Sequence, residues 1–167
     1  MPHPKGAHMF REMRLKKQQL SEAETLEILK SCTSGVLAVA GDDDYPYAVP
    51  LSFAFEDGKL YFHFARTGHK LDAVARNDRV SFCVIQKDTV VAEAFTTYYR
   101  SAIAFGRIRV HTGDDEKRHA LECLARKYSA AYIDRAPAEI EREWKNVRTA
   151  ELTIEHLTGK AASELLS

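Results

Sequence analysis

Residues 35–64 read GVLAVAGDDDYPYAVPLSFAFEDGKLYFHF, and this stretch decides the fold class. It contains three short apolar runs, separated by a polar turn at 41–44 and by a second turn at 56–59 that includes Gly58. Glycine tolerates the positive φ that tight hairpin turns require. Short β-rich runs with tight connections predict an antiparallel meander.

Outside the meander, further strands alternate with helices. Ser21 and Glu24 have the spacing of a capping box, so a helix should begin there. Apolar periodicity and end charges predict further helices over 69–76, 112–128 and 138–144. The expected strands are 35–40, 47–55, 60–64, 80–85, 101–110 and 150–155, with 86–100 ambiguous and the ordered pattern ending at 159–161. The sequence therefore predicts an α+β fold, a six-stranded antiparallel barrel with flanking helices.

Composition limits the function classes. The 167 residues carry 24 basic and 24 acidic side chains, which argues against a dedicated nucleic-acid binder. The length fits one domain, which we expect over residues 9–167 after a flexible leader at 1–8. The chain has no apolar run long enough to span a membrane. Three widely spaced cysteines without a CxxC pair favour a reducing, cytoplasmic location.

The common catalytic motifs, such as glycine-rich nucleotide loops and nucleophile elbows, are absent from the sequence. No metal site is predicted, because the candidate histidines lack a recognised ligand spacing; they are His63, His69, His111 and His119. Cys32 has two interpretations, a nucleophile or a partly buried thiol at a helix end.

Cationic side chains cluster at the start of the helix expected over 69–76. Arg66, His69 and Lys70 fall within five residues. Free amides and the positive end of the helix dipole would favour an anion there. A solvated basic loop is the alternative interpretation, and Arg107 and Arg109 have the pattern of a solvated strand edge.

Several segments, taken in order, resemble the pyridoxamine 5′-phosphate oxidase-like FMN-binding split barrels, and most closely the branch related to 5-nitroimidazole resistance (Nim) proteins. The resemblance implies a six-stranded split β-barrel that forms a homodimer and binds FMN at the subunit interface. The matching segments are 13–14, 35–38, 46–53, 60–65, 68–72 and 99–106.

The resemblance also implies which residues bind the cofactor. Two strand segments, 49–52 and 63–65, would approach the flavin ring, while the helix start and a later strand would contact the phosphate. For Val49 ordinary strand packing is the alternative, and for His63 a histidine satisfied on the barrel wall. The implied cofactor-binding residues are Val49, Pro50, Leu51, Ser52, His63, Phe64, Ala65, Gly68, His69, Lys70, Arg100 and Ser101. Trp144 or a nearby aromatic residue is a further candidate to cover the ring from the partner subunit.

Flavin cofactors perform hydride or electron transfer while the protein positions and tunes them. The resemblance therefore implies an oxidoreductase that reduces a small organic substrate of nitroaromatic type, with NAD(P)H as the candidate donor. His63 is the candidate catalytic residue, orienting the substrate or donating a proton. The terminal Arg-x-x-x-Arg-Leu-x-Pro segment of authentic pyridoxamine phosphate oxidase is missing, so vitamin B6 oxidation is not expected. The alternatives are a non-catalytic binder or store of flavin, deazaflavin or haem, and a purely structural dimerisation domain.

Overall fold

A single antiparallel sheet organises residues 10–166, the part of the chain described by this computed structural model. The predicted leader at 1–8 lies outside the described residues. The strands are β1 (Gly35–Ala40), β2 (Pro46–Leu51), β3 (Ala54–Glu56), β4 (Lys59–Ala65), β5 (Arg79–Val91), β6 (Thr96–Val110) and β7 (Val147–Ala161). The α-helices are α1 (Glu22–Ser31), α2 (His69–Arg76), α3 (Asp114–Tyr128) and α4 (Ala136–Glu143). The α+β class is confirmed.

The strand order requires the sheet to curl. It runs β2-β1-β5-β6-β7-β4-β3, so β2 and β3 lie at opposite edges although only Ser52 and Phe53 separate them in the chain. In a flat sheet these edges would be roughly 29 Å apart at about 4.8 Å per strand. The three Cα steps from Leu51 to Ala54 span at most about 11 Å. The two edges must therefore approach each other, which gives an open barrel split between β2 and β3.

The predicted count of six strands is wrong, because the strand expected over 47–55 is two strands. Phe53 is fully buried, and its backbone leaves the ladder at this point. Its N–H donates to the Tyr128 hydroxyl at 2.8 Å, and that hydroxyl donates to the Phe53 carbonyl at 2.9 Å. A side chain of α3 thus replaces the neighbouring strand and lets the chain pass from one sheet edge to the other.

Strand β1 has its predicted bounds, whereas β4, β5, β6 and β7 are longer than predicted. The ambiguous segment 86–100 continues β5 and β6 into a hairpin that turns at Ala92–Ala94, followed by Phe95 at φ 51°. Strand β7 runs on to Ala161 instead of stopping at 155. Most side chains at the hairpin tip are exposed, so no buried face marks these residues as a strand in the sequence.

The helices cover the barrel. The capping box at α1 is confirmed: the Glu24 amide donates to Ser21 Oγ at 3.3 Å, and the Ser21 amide donates to Glu24 Oε2 at 2.9 Å. The largest fully buried side chains, which include Phe53, Phe62 and Phe82, form the main core with residues of α1 and α2. Among the described helices, none is long and apolar enough to cross a membrane.

Candidate functional site

Helix α2 begins among the candidate site residues. Its N-cap is Gly68, at φ 140° and ψ 167°, a conformation that only glycine adopts readily. No side chain of the described residues caps this end. The first amides of a helix have no intrahelical partner. The helix therefore presents free N–H groups beside His69 and Lys70.

Aromatic and ionic contacts hold this helix start against the β1–β2 connection. The His69 imidazole stacks on the Tyr47 ring, with centroids 4.1 Å apart and planes inclined by 11°. His69 Nε2 also lies 3.7 Å from an oxygen of Asp42, which pairs with Arg76 at 2.7 Å. Because Tyr47 belongs to β2, these contacts bring β2 and α2 together, as the predicted site requires.

The strand residues of the predicted site divide into two sets. Val49 and Phe64 point into the main core and are 9% and 2% exposed. Either residue could contact a ligand only through its backbone. The Val49 side chain therefore has the packing role that was the alternative interpretation. Leu51 is half-buried and packs against the same core. The exposed members are Pro50, Ser52, His63 and Ala65.

The exposed members lie at or just beyond the end of β2 and near the end of β4. The β3–β4 ladder ends at the Ala54–Tyr61 pair, and Ser52 and His63 each lie two residues beyond that last pair. Lys70 Nζ lies 5.8 Å from the centroid of the Phe64 ring, which joins the α2 start to the end of β4. The structure thus places the α2 start beside the start of β2, through Tyr47, and beside the end of β4, through Phe64. We use the name split-edge cluster for Pro50, Ser52, His63, Ala65, Gly68, His69 and Lys70.

Arg100 and Ser101 lie elsewhere in the same chain. Arg100 pairs with Lys87 and Ala161 near the start of β6, whereas His63 pairs with Thr149 beside the far end of β6. About ten residues of β6 separate the two places, on the order of 30 Å along the strand. Arg100 Nη2 is 3.6 Å from Glu24 Oε1, and its buried Nε has no hydrogen-bond partner among the described residues.

The remaining candidates of the sequence have partners of their own. His111 is buried between Thr149 and Glu151, with Nδ1 2.9 Å from Thr149 Oγ1 and Nε2 3.3 Å from Glu151 Oε2. Burial lowers its pKa, although Glu151 acts in the opposite direction. The Trp144 ring has cations of its own chain nearby, with Lys117 Nζ 4.5 Å and the Arg118 guanidinium 4.9 Å from its centroid.

Sequence reasoning missed one cluster of polar side chains, formed by Glu56, His119 and Cys123. Burial, followed by the neighbouring Glu56 carboxylate, raises the pKa of the Cys123 thiol to about 12. The spacing of His119 and Cys123 by four residues was a usable signal, but Glu56 is remote in sequence and only the fold brings it to them.

Comparisons with known proteins agree with this architecture. A candidate 5-nitroimidazole antibiotic resistance protein from Bacteroides thetaiotaomicron is 22% identical over 86% of each chain, with a TM-score of 0.70. An FAD-binding protein from Mesorhizobium loti is 25% identical over 87% of this chain and 97% of that one, with a TM-score of 0.64. An FAD and heme binding protein from Mycobacterium smegmatis is 24% identical over 87% and 73%, with a TM-score of 0.71.

None of the curated proteins is significantly similar to this sequence. The family model of pyridoxamine 5′-phosphate oxidase, however, matches residues 21–161, which is most of the chain. The order of the matched segments, the split barrel and this match agree with one another. The chain therefore belongs to the pyridoxamine 5′-phosphate oxidase family.

Proposed function

We propose that this protein is a flavoprotein that binds FMN at the split-edge cluster. The observation that carries the proposal is the start of α2, where uncapped amides and Lys70 converge at a glycine N-cap. A phosphate dianion is the complementary ligand, since it accepts hydrogen bonds from free amides and is attracted by the helix dipole. Family membership, and the FAD that two neighbours are named for, support a flavin.

The flavin ring is assigned to the exposed ends of β2 and β4. Pro50 and Ala65 offer small, apolar surface, and Ser52 offers a hydroxyl, as expected of a flat slot with few polar groups. His63 stands in the same region with an exposed imidazole. We assign it one of two roles, to orient the substrate or to donate a proton to it.

A flavin supplies hydride or electron transfer when bound. We propose that the protein reduces a small organic substrate, of nitroaromatic type by its likeness to the Bacteroides protein, with NAD(P)H as electron donor. If His63 donates the proton, His63→Gln should lower turnover by about a hundredfold, a much larger effect than its change in FMN affinity. Equal turnover in both proteins would remove His63 from the mechanism.

The outer face of the sheet supports a homodimer with the cofactor at its interface. Pro50, Val36, Cys83 and Ile103 lie side by side on four neighbouring strands. Val36 and Ile103 are 37% and 39% exposed, so this apolar row lies open at the surface. Contiguous exposed apolar surface is typical of an association face, and this one runs up to the Pro50 edge of the split-edge cluster.

The position of Arg100 also supports a homodimer with the cofactor at its interface. It is too far along β6 to meet the phosphate held by Lys70 of its own chain, so it can share that ligand only from a second copy. In a homodimer the orphaned Arg100 Nε would then have a partner. Ile103→Asp should yield a monomer with weakened FMN binding in analytical ultracentrifugation, whereas Tyr132→Asp, an exposed site on the α3–α4 connection, should not.

A non-catalytic binder or store of flavin, deazaflavin or haem is the alternative function. The Mycobacterium neighbour, named for both FAD and heme, favours keeping haem among the candidate ligands. A Soret band, or a bound flavin that NAD(P)H never reduces, would favour the alternative over the oxidoreductase. A cytoplasmic location remains part of the proposal and rests on the cysteine pattern.

The absorbance spectrum of the purified protein tests the main proposal. We expect a yellow protein that releases FMN, identified by mass, and a colourless Lys70→Ala variant. The matched control is Arg135→Ala, which removes an exposed cation from the α3–α4 connection, the segment that also carries Tyr132, and should leave the colour intact. A colourless protein that does not take up added FMN would contradict the proposal.

A further inference from the structure

Three metal-ligating side chains meet where α3 packs on β3. Glu56 ends β3, and His119 and Cys123 lie one helical turn apart on the same face of α3. One ligand atom from each residue lies within 4.8 Å of the others. We propose that Glu56, His119 and Cys123 form a binding site for one zinc ion, separate from the flavin site.

The contacts already approach the shape of a coordination shell. His119 Nε2 is 2.7 Å from Glu56 Oε2, and Cys123 Sγ is 3.3 Å from Glu56 Oε2 and 3.4 Å from His119 Nε2. The two separations from Cys123 are close to those between neighbouring ligands of a tetrahedral zinc ion, roughly 3.4 Å for bonds of about 2.0–2.3 Å, whereas His119 and Glu56 would have to move apart by about half an ångström. Only small side-chain shifts are needed to admit the metal.

The surrounding packing fixes the two helical ligands. Cys123 belongs to a small second core with Ala54, Tyr61, Ala120 and Leu124. The Tyr61 ring meets the His119 imidazole edge-on, with centroids 5.3 Å apart. Rigid neighbours of this kind keep ligands in place before the metal arrives, which lowers the cost of binding.

The donor set selects the class of metal. A thiolate, an imidazole nitrogen and a carboxylate oxygen suit zinc, whereas magnesium and calcium prefer oxygen ligands alone. With three protein ligands the fourth position stays open. Glu56 and Cys123 line a cavity of about 250 Å³ together with Lys30, Arg126 and Lys127, so a water molecule or a small anion could occupy that position.

The contacts of Arg126 allow a second interpretation of the cluster, and the test must distinguish it from a zinc site. Its Nη2 lies 3.1 Å from Glu56 Oε1 and 3.0 Å from Cys123 Sγ, so the guanidinium holds both groups in the absence of a metal. If the cluster is only a hydrogen-bonded contact between α3 and β3, Arg126 is an essential member. If it is a zinc site, Arg126 is a competing cation.

Equilibrium dialysis of the purified protein against buffered Zn²⁺, followed by elemental analysis, provides the test. We expect about one zinc per chain in the wild type, and loss of that zinc in Cys123→Ser and in His119→Ala. The matched control is Cys83→Ser, which removes a thiol from the outer face of β5 and should keep the zinc.

Arg126→Gln makes the decisive comparison. Removing the competing charge should tighten zinc binding by on the order of tenfold, since a unit charge a few ångströms away interacts strongly with the metal. Circular dichroism confirms that each variant is folded. Substoichiometric zinc in the wild type, equal zinc in Cys123→Ser, or weaker binding in Arg126→Gln would each overturn the proposal. None of these outcomes depends on flavin binding.

Discussion

The N-termini of α1 and α2 differ in what satisfies their free backbone amides. At α1 the side chains of Ser21 and Glu24 close the helix end with a full capping box. At α2 no described side chain caps the end, and Gly68 leaves the first turn open. Helix α3 is intermediate: Gly113 provides no side-chain cap, but three acids fill its first turn.

The N-termini of α1 and α2 also differ in the charges of their first turns. Acids are favourable at a helix N-terminus and cations are unfavourable, because the dipole is positive there. Helix α1 begins with Glu22 and Glu24, whereas α2 begins with His69 and Lys70 and has Asp72 as the acid of its first turn. An end that binds a phosphate needs open amides and cations, whereas an end that only stabilises the fold needs neither. The difference distinguishes a structural helix start from one suited to an anionic ligand.

Reversing the charge at α2 gives the largest expected effect. Lys70→Glu should weaken FMN binding by roughly a hundredfold or more, because a charge-assisted contact is replaced by repulsion. The free energy of unfolding of the cofactor-free protein should change by less than about 1 kcal/mol, since a better dipole interaction offsets the lost Phe64 contact. Fluorescence titration and urea unfolding measure the two quantities. A large loss of both would mean that Lys70 serves the fold.

Gly68→Ala tests whether the unusual backbone of the α2 start matters. A side chain at φ 140° is strained, so we expect a loss of about 1–3 kcal/mol of stability and about tenfold weaker FMN binding as the helix start shifts. Gly113→Ala at the start of α3 is the control, because Gly113 has φ −89° and an added Cβ meets only Glu116 at 3.4 Å or more. Equal effects of the two substitutions would contradict the comparison.

Removing the cap of α1 should lower stability without weakening FMN binding, the opposite of the effect expected for Lys70→Glu. Ser21→Ala deletes the hydroxyl that accepts from the Glu24 amide and should cost about 1 kcal/mol of stability. FMN affinity should not change in the same preparation. Any selective loss of FMN with unchanged stability would show that α1 belongs to the ligand site.

His111, buried between Thr149 and Glu151, should make the stability of the protein depend on pH. Burial lowers the pKa of His111 in the folded protein, so the unfolded chain binds a proton that the native state excludes. Its contribution to stability is therefore present above the unfolded pKa of about 6.5 and is lost as pH falls below it. The slope cannot exceed about 1.4 kcal/mol per pH unit. Urea unfolding between pH 7.5 and 5.5 should show a weaker slope in His111→Gln, and an unchanged slope would assign the effect to another group.

Local patterns in the sequence identified most elements of the fold. The capping box at Ser21 and the helix beginning at His69 appear where sequence spacing predicts them. The break at Phe53 could not be predicted, since it depends on a hydrogen bond to Tyr128, 75 residues later. The 86–100 hairpin was ambiguous because its exposed side chains leave no buried face to detect.

In the candidate site, too, local features could be predicted from the sequence, whereas features that depend on distant contacts could not. Sequence order located the α2 start and the ends of β2 and β4, and the structure brings the α2 start to the start of β2 through Tyr47 and to the end of β4 through Phe64. Which side chains face outward could not be read from the motifs, and Val49 and Phe64 proved to be core residues. The distance from Arg100 to this region follows from the register of β6, which no local pattern records.

The affinities of FMN and riboflavin, measured by fluorescence titration in the wild type and in Lys70→Ala, test the central claim most directly. The two ligands share the ring and differ in the phosphate assigned to the α2 start. The wild type should prefer FMN by about a hundredfold, and Lys70→Ala should lose most of that preference while binding riboflavin as before. Equal affinities in the wild type, or an equal loss for both ligands in the variant, would contradict a phosphate site at α2.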